Sequence, residues 1–199
     1  MASRLSGQPL ERGKHIYNQA FGIYGLSEYF RATGEEESLQ KAIRLYELIE
    51  RHSYDQRNKG YFESFSGTWM RDEKLLLSGE EGLFAPKSMN THLHILEAYT
   101  NLYRVWRDEG LKNKQKELIE LTLSSIIDSS WHQFALYFDE CWQVRSTAIS
   151  YGHDIEGSWL LLEAAEEVGD PDIIERVKAV SIDMAEKVLQ EGIDHDGAF

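Results

Sequence analysis

The chain has 199 residues and one cysteine, Cys141, so an internal disulfide is excluded. A reducing, cytoplasmic setting is favoured. Basic residues are scarce: 21 Lys and Arg stand against 34 Asp and Glu, for a net charge of −13, and no basic run occurs. That balance argues against nucleic acid and against an anionic membrane as partners. No apolar stretch approaches the roughly 20 residues that span a bilayer, and the opening Met1-Ala2-Ser3-Arg4-Leu5 lacks the apolar core of a signal peptide. No glycine-rich phosphate loop precedes a lysine, no G-x-G-x-x-G opens a helix, and no serine nucleophile elbow is present. Nucleotide binding and acyl transfer are set aside on those grounds.

What is present is aromatic and helical. Five Trp and ten Tyr are many for this length. Most aromatics in a helical protein fill its core, but sugar sites also use them, because the C–H face of a sugar packs on a ring. Trp69, Trp106, Trp131 and Trp142 are expected in the core or a cavity wall.

Apolar residues at helical spacing predict three helical hairpins in series. The first runs over 14–31 and 35–52, with Gly34 as the stop. The second runs over 88–107 and 114–127, with a break at Asp108-Glu109-Gly110. The third runs over 154–168 and 172–189, with Asp170 as N-cap and Pro171 at the first helical position. Gly60–Phe65 and Leu136–Glu140 are short, alternating and aromatic, and read as strands. Glu28, Glu97 and Glu163 mark a repeat of about 66 to 69 residues. Serial hairpins of this kind predict an all-α toroid or an α-solenoid. The polar clusters lie on the first helix of each hairpin, so those helices are expected to line the inside.

Two clusters stand out. In Tyr151-Gly152-His153-Asp154-Ile155-Glu156-Gly157-Ser158-Trp159, His153 and Glu156 share a helix face and Trp159 follows one turn on. A carboxylate beside an imidazole orients it and tunes it for acid/base work near neutral pH. In Met89-Asn90-Thr91-His92-Leu93-His94, Asn90 and His94 share a face and can donate to a sugar carbonyl or enolate oxygen. His92 lies about 160° around the helix from His94. A strand would aim both rings at one metal and a helix does not, so no metal ligands are assigned, and His92 reads as a core histidine bonded to backbone. Tyr24 either packs in the core or reaches the same cavity.

Three motifs in one order carry a resemblance: Lys14…Tyr17-Asn18-Gln19-Ala20-Phe21…Tyr24, Met89-Asn90-Thr91-His92-Leu93-His94 and Tyr151-Gly152-His153-Asp154-Ile155-Glu156. Together they resemble the N-acylglucosamine 2-epimerase and cellobiose 2-epimerase superfamily, and most of all its cellobiose 2-epimerase branch. The resemblance implies an (α/α)6 barrel and cofactor-free, metal-free chemistry on a reducing sugar, cellobiose or a related disaccharide. A base removes the C2 proton of the opened sugar, a cis-enediolate forms, and a proton returns to the opposite face. It implies catalytic roles for His153, Glu156 and His94, and substrate contacts for Asn90, Tyr24 and Trp159.

Family members carry about twice as many hairpins. Residues 1–199 are therefore expected to be part of a single α/α-barrel catalytic domain, without its N- and C-terminal hairpins. The second catalytic histidine is expected outside this chain, since His195 does not match its position. Such a piece is expected to be weak or inactive, with exposed apolar flanks that favour self-association. Three alternatives stay open at this point: an N-acylglucosamine 2-epimerase or aldose–ketose isomerase of the same superfamily, a metal-dependent isomerase, and a non-catalytic α-solenoid interaction module.

Overall fold

The computed structural model describes residues 13–71 and 85–194. Six helices dominate: α1 (Ile16–Thr33), α2 (Glu36–His52), α3 (Met89–Val105), α4 (Glu109–Leu121), α5 (Tyr151–Val168) and α6 (Pro171–Glu191). Six two-residue strands join them: β1 (Lys14–His15), β2 (Ser64–Phe65), β3 (Lys87–Ser88), β4 (Ile127–Asp128), β5 (Gln133–Phe134) and β6 (Tyr137–Phe138). A single π-helical turn, Thr122–Ile126, carries α4 into β4. None of these helices is long and apolar enough to cross a membrane.

The helix ends follow local chemistry. Gly34 and Gly169 close α1 and α5 in the left-handed conformation, and each N–H returns to the carbonyl four residues back. Ser88 caps α3 by accepting the Thr91 N–H. Asp108 caps α4 by accepting the Leu111 N–H at 2.9 Å. Gly110, expected as part of a break, belongs to that cap: a Cβ there would lie 2.9 Å from the Asp108 carboxylate. The helix therefore starts at Glu109, five residues before its expected start. Asp170 precedes Pro171 as expected, but its carboxylate is turned to Lys116 of α4 at 2.8 Å.

Packing separates the helices into two rows. α3 lies between α1 and α5, and these three form one row. α2 packs on α1, α6 packs on α5, and α4 packs behind α3 and α5. The first helix of each hairpin thus forms the inner row. Covered on three sides, α3 is buried along nearly its whole length. One continuous core runs through Ile16, Ile23, Ile95, Tyr99, Leu102, Leu161 and Ala165. Burial of that apolar surface is the main force holding the rows together.

The short strands give the repeat its register. β1 pairs with β2 through Lys14↔Phe65 and His15↔Ser64. β3 pairs with β6 through Lys87↔Phe138 and Ser88↔Tyr137, the same pattern 73 residues later. The turns behind them match too, with Trp69 and Trp142 both in the left-handed region. By helix starts at 16, 89 and 151 the intervals are 73 and 62 residues, so the spacing of the three glutamates averaged over unequal connections.

Two buried tethers fix this end of the molecule. Lys87 is fully buried, and its ammonium donates to Asp55 Oδ2 (2.8 Å), the Lys59 carbonyl (2.7 Å) and the Glu140 carbonyl (3.0 Å). Burial pushes the Asp55 carboxyl up, but Lys87 and the amides of Asn58 and Arg57 outweigh it and hold it below the usual carboxylate range. Asp154 of α5 accepts the Phe134 N–H at 2.8 Å and ties β5 to α5. The Phe134 ring then lies where a Cβ on Gly157 would sit, within 2.2 Å.

Candidate active site

The amino-terminal ends of α3 and α5 open onto a pocket of about 180 Å³. Its walls are Glu63, Ser88, Met89, Asn90, Leu136, Tyr137, Ser150 and His153. The partial positive charge of two helix N-termini favours negative charge that develops on a substrate oxygen there.

His153 is held from both sides. Its Nδ1 lies 2.7 Å from the Ser150 hydroxyl, and its Nε2 lies 3.2 Å from Asn90 Oδ1. Ser150 is the N-cap residue of α5, and it uses its hydroxyl on the imidazole while its carbonyl accepts the Asp154 N–H. With the Asn90 carbonyl facing Nε2, that nitrogen carries the proton and the Ser150 hydroxyl donates to Nδ1. Turning the Asn90 amide over reverses both bonds and leaves Nε2 as the acceptor. The pair can therefore present the imidazole as a proton donor or as a base.

The remaining expected site residues spread along the inner row. His94 is one turn along α3 from Asn90. Its Nδ1 lies 3.1 Å from Glu97 Oε2, and its ring packs against Phe21 of α1 at 4.5 Å between centroids. Glu156 is half-buried one turn along α5 from His153. Both ring nitrogens of His153 are engaged by Ser150 and Asn90, so Glu156 shares its face without bonding to it. Trp159 is 54% exposed on the next turn. Tyr24 is part-buried about two turns along α1, where burial, Glu97, Glu28 and Glu163 all raise its phenol. The three repeat-marking glutamates thus converge on Tyr24, away from the pocket walls.

His92 faces elsewhere, as the helical reading expects. Its Nδ1 donates to the Ser88 carbonyl at 2.7 Å, and its Nε2 accepts the Tyr61 N–H at 2.8 Å. Burial takes this ring down to about 4 and keeps it neutral. Gly60 admits it: a Cβ there would meet His92 Nε2 at 2.6 Å. His92 and His94 share no ligand position. Among the described residues no group of three or more His, Cys, Asp or Glu side chains is arranged to hold a metal ion.

Glu63 is the pocket residue that the sequence reading passed over. It is 2% exposed, and burial pushes its carboxyl up to about 7 against the Ser88 hydroxyl. The signal was available in its setting, a lone carboxylate inside Tyr61-Phe62-Glu63-Ser64-Phe65. Ser150 and Tyr137 were passed over as well, because no spacing rule links a loop residue or a two-residue strand to a helix.

Known proteins are similar in sequence and fold. The chain is 46% identical over 193 residues to a cellobiose 2-epimerase from Bacteroides fragilis, covering 97% of this chain and 49% of that protein. A cellobiose 2-epimerase from Dictyoglomus turgidum is 41% identical, over 94% of this chain and 48% of that one. The solved cellobiose 2-epimerase of Bacillus thermoamylovorans superposes with a TM-score of 0.91 at 40% identity, covering 96% of this chain and 48% of its own. The architecture is that of the (α/α)6-barrel epimerases and isomerases, of which this chain supplies three hairpins. The chain spans about half the length of the curated relatives it matches. Residues 2–199 match the profile described as N-acylglucosamine 2-epimerase (GlcNAc 2-epimerase), and the chain belongs to that family.

Proposed function

We propose that this chain carries part of the catalytic centre of a carbohydrate 2-epimerase, acting on the reducing-end glucose of cellobiose or a related β-1,4-disaccharide. The observation that carries the reading is the His153–Asn90 hydrogen bond in the wall of a pocket at two helix N-termini. The printed names of the relatives, cellobiose 2-epimerases, supply the substrate class.

In this reading the sugar ring opens and His153 Nε2 takes the C2 proton. The C–H electron pair becomes the C1–C2 double bond, and the carbonyl pair moves onto O1 to give a cis-enediolate. Asn90 holds Nε2 in the resting site and gives it up to the C2 proton when the sugar binds, and His153 serves one face of C2. The α3 and α5 N-termini stabilise the oxyanion. Glu156 assists ring opening, His94 and Tyr24 bind sugar oxygens, and Trp159 offers an exposed indole face to the second sugar. The proton returns to the opposite face of C2 from a second acid/base side chain, expected outside this chain, and the scheme calls on no cofactor. The exposed thiol of Cys141 agrees with a reducing, cytoplasmic setting.

Product analysis tests the reading. With this chain alone, cellobiose in D2O is expected to take up deuterium at C2 with little or no mannose-ended epimer, since the opposite face lacks its acid/base partner. A fructose-ended product would reassign the chemistry to aldose–ketose isomerisation. Unchanged sugar with no measurable binding would leave an α-solenoid module without this activity.

A further inference from the structure

Glu63 reaches the pocket from a backbone that leaves it little freedom. Its N–H donates to the Pro86 carbonyl at 3.1 Å, and its carbonyl accepts the Ile16 N–H at 2.9 Å. The second repeat shows what the fold requires there. The Met89 N–H donates to the Leu136 carbonyl at the same 2.9 Å, so Leu136 is the counterpart of Glu63, 73 residues on. Leucine satisfies that position, and both side chains line the same pocket. The carboxyl therefore does nothing for the strand pairing that an apolar side chain does not do.

It also carries a cost. Oε2 of Glu63 is buried without a hydrogen-bond partner, and an orphaned buried acceptor is destabilising. A group of this kind, 98% covered and turned into a pocket that also holds His153 and Asn90, fits a ligand polar atom that completes it.

We propose that Glu63 is a sugar-contacting residue, its open carboxyl oxygen hydrogen-bonding a hydroxyl of the sugar that occupies the pocket. The inference rests on the sugar reading above and adds a residue to it. Burial holds the carboxyl up to about 7, so near neutral pH it can donate as well as accept. The other titratable groups in the pocket wall are His153 of α5 and Tyr137 of β6, and His15 lies on the strand paired to Ser64.

The test is carbon-13 NMR of the full chain labelled at glutamate carboxyls and histidine rings, titrated with cellobiose. Glu63→Gln and His153→Ala assign the two resonances. The Glu63 carboxyl signal is expected to move with saturable dependence on sugar. Glu63→Leu is expected to weaken binding at least about tenfold and Glu63→Gln less than about threefold, since the amide keeps a donor and an acceptor. A Glu63 signal that stays fixed while the His153 ring responds would overturn the inference and leave the sugar reading standing. If neither responds, both fail.

Discussion

His92 sits beneath the Gly60–Tyr61 turn as a neutral ring, and Glu63 sits in the pocket wall as a half-ionised acid. The two tilt stability in opposite directions. The His92 ring falls from 6.5 to about 4 on folding. Below pH 6.5 the unfolded chain takes up a proton that the folded ring refuses, so stability is lost as pH falls through that window. Glu63 rises from 4.5 to about 7. The folded state then holds the extra proton, so its contribution is full below pH 4.5 and is lost as pH rises to 7. Each is worth at most about 3 kcal/mol by linkage. Glu63→Gln removes the second slope alone. Its stability relative to the parent is expected to be near zero at pH 4 and to grow to about 2–3 kcal/mol in its favour at pH 8, measured by urea unfolding. A difference that stays flat with pH would contradict the buried carboxyl with its unpartnered Oε2.

Glycines separate close packing from open space at the scale of elements. Gly157 of α5 leaves room for the Phe134 ring, which a Cβ would meet at 2.2 Å. Gly157→Ala is expected to lose about 2 kcal/mol or more, because β5 must move off α5. Gly25, on the exposed side of α1, has nothing within 4 Å of its Cβ position. Gly25→Ala is expected to gain about 0.5–1 kcal/mol from helix propensity. Chemical denaturation of the two variants beside the parent measures both, and equal effects would contradict the packing.

The same elements show what could be read from the sequence. Gly34 as a helix stop and Asp170-Pro171 as a helix start were legible, since each depends on its immediate neighbours. The start of α4 was not, because Gly110 looks like a breaker until the Asp108 carboxylate is seen to occupy the space beside it. Asn90 and His153 were legible as separate motifs. Their hydrogen bond was not, since it joins residues 63 positions apart through the packing of α3 on α5. Glu63 stayed hidden for the same reason, as it enters the pocket from a strand register that links β1 to β2.

At the scale of the whole molecule, the inner row places one cluster at its helix N-termini and another further along. Asn90 and His153 meet at the helix N-termini, while Glu28, Glu97 and Glu163 gather around Tyr24 further along. Beyond α5 a groove of about 390 Å³ is lined by Trp131, Phe134, Val144 and Ile149, among others, and Trp131, Val144 and Ile149 are largely exposed. An exposed apolar surface of this kind favours association with another surface. The central claim, however, concerns the helix N-termini: His153, set by Asn90 and Ser150, moves the proton at C2. Proton NMR of the chain with cellobiose in D2O, beside a His153→Ala control, tests it most directly. Deuterium is expected to enter C2 with the parent chain and to slow by at least about a hundredfold in the variant, the size of effect that a positioned acid/base group supplies. Equal exchange in both, or none from a folded chain that binds the sugar, would contradict the account.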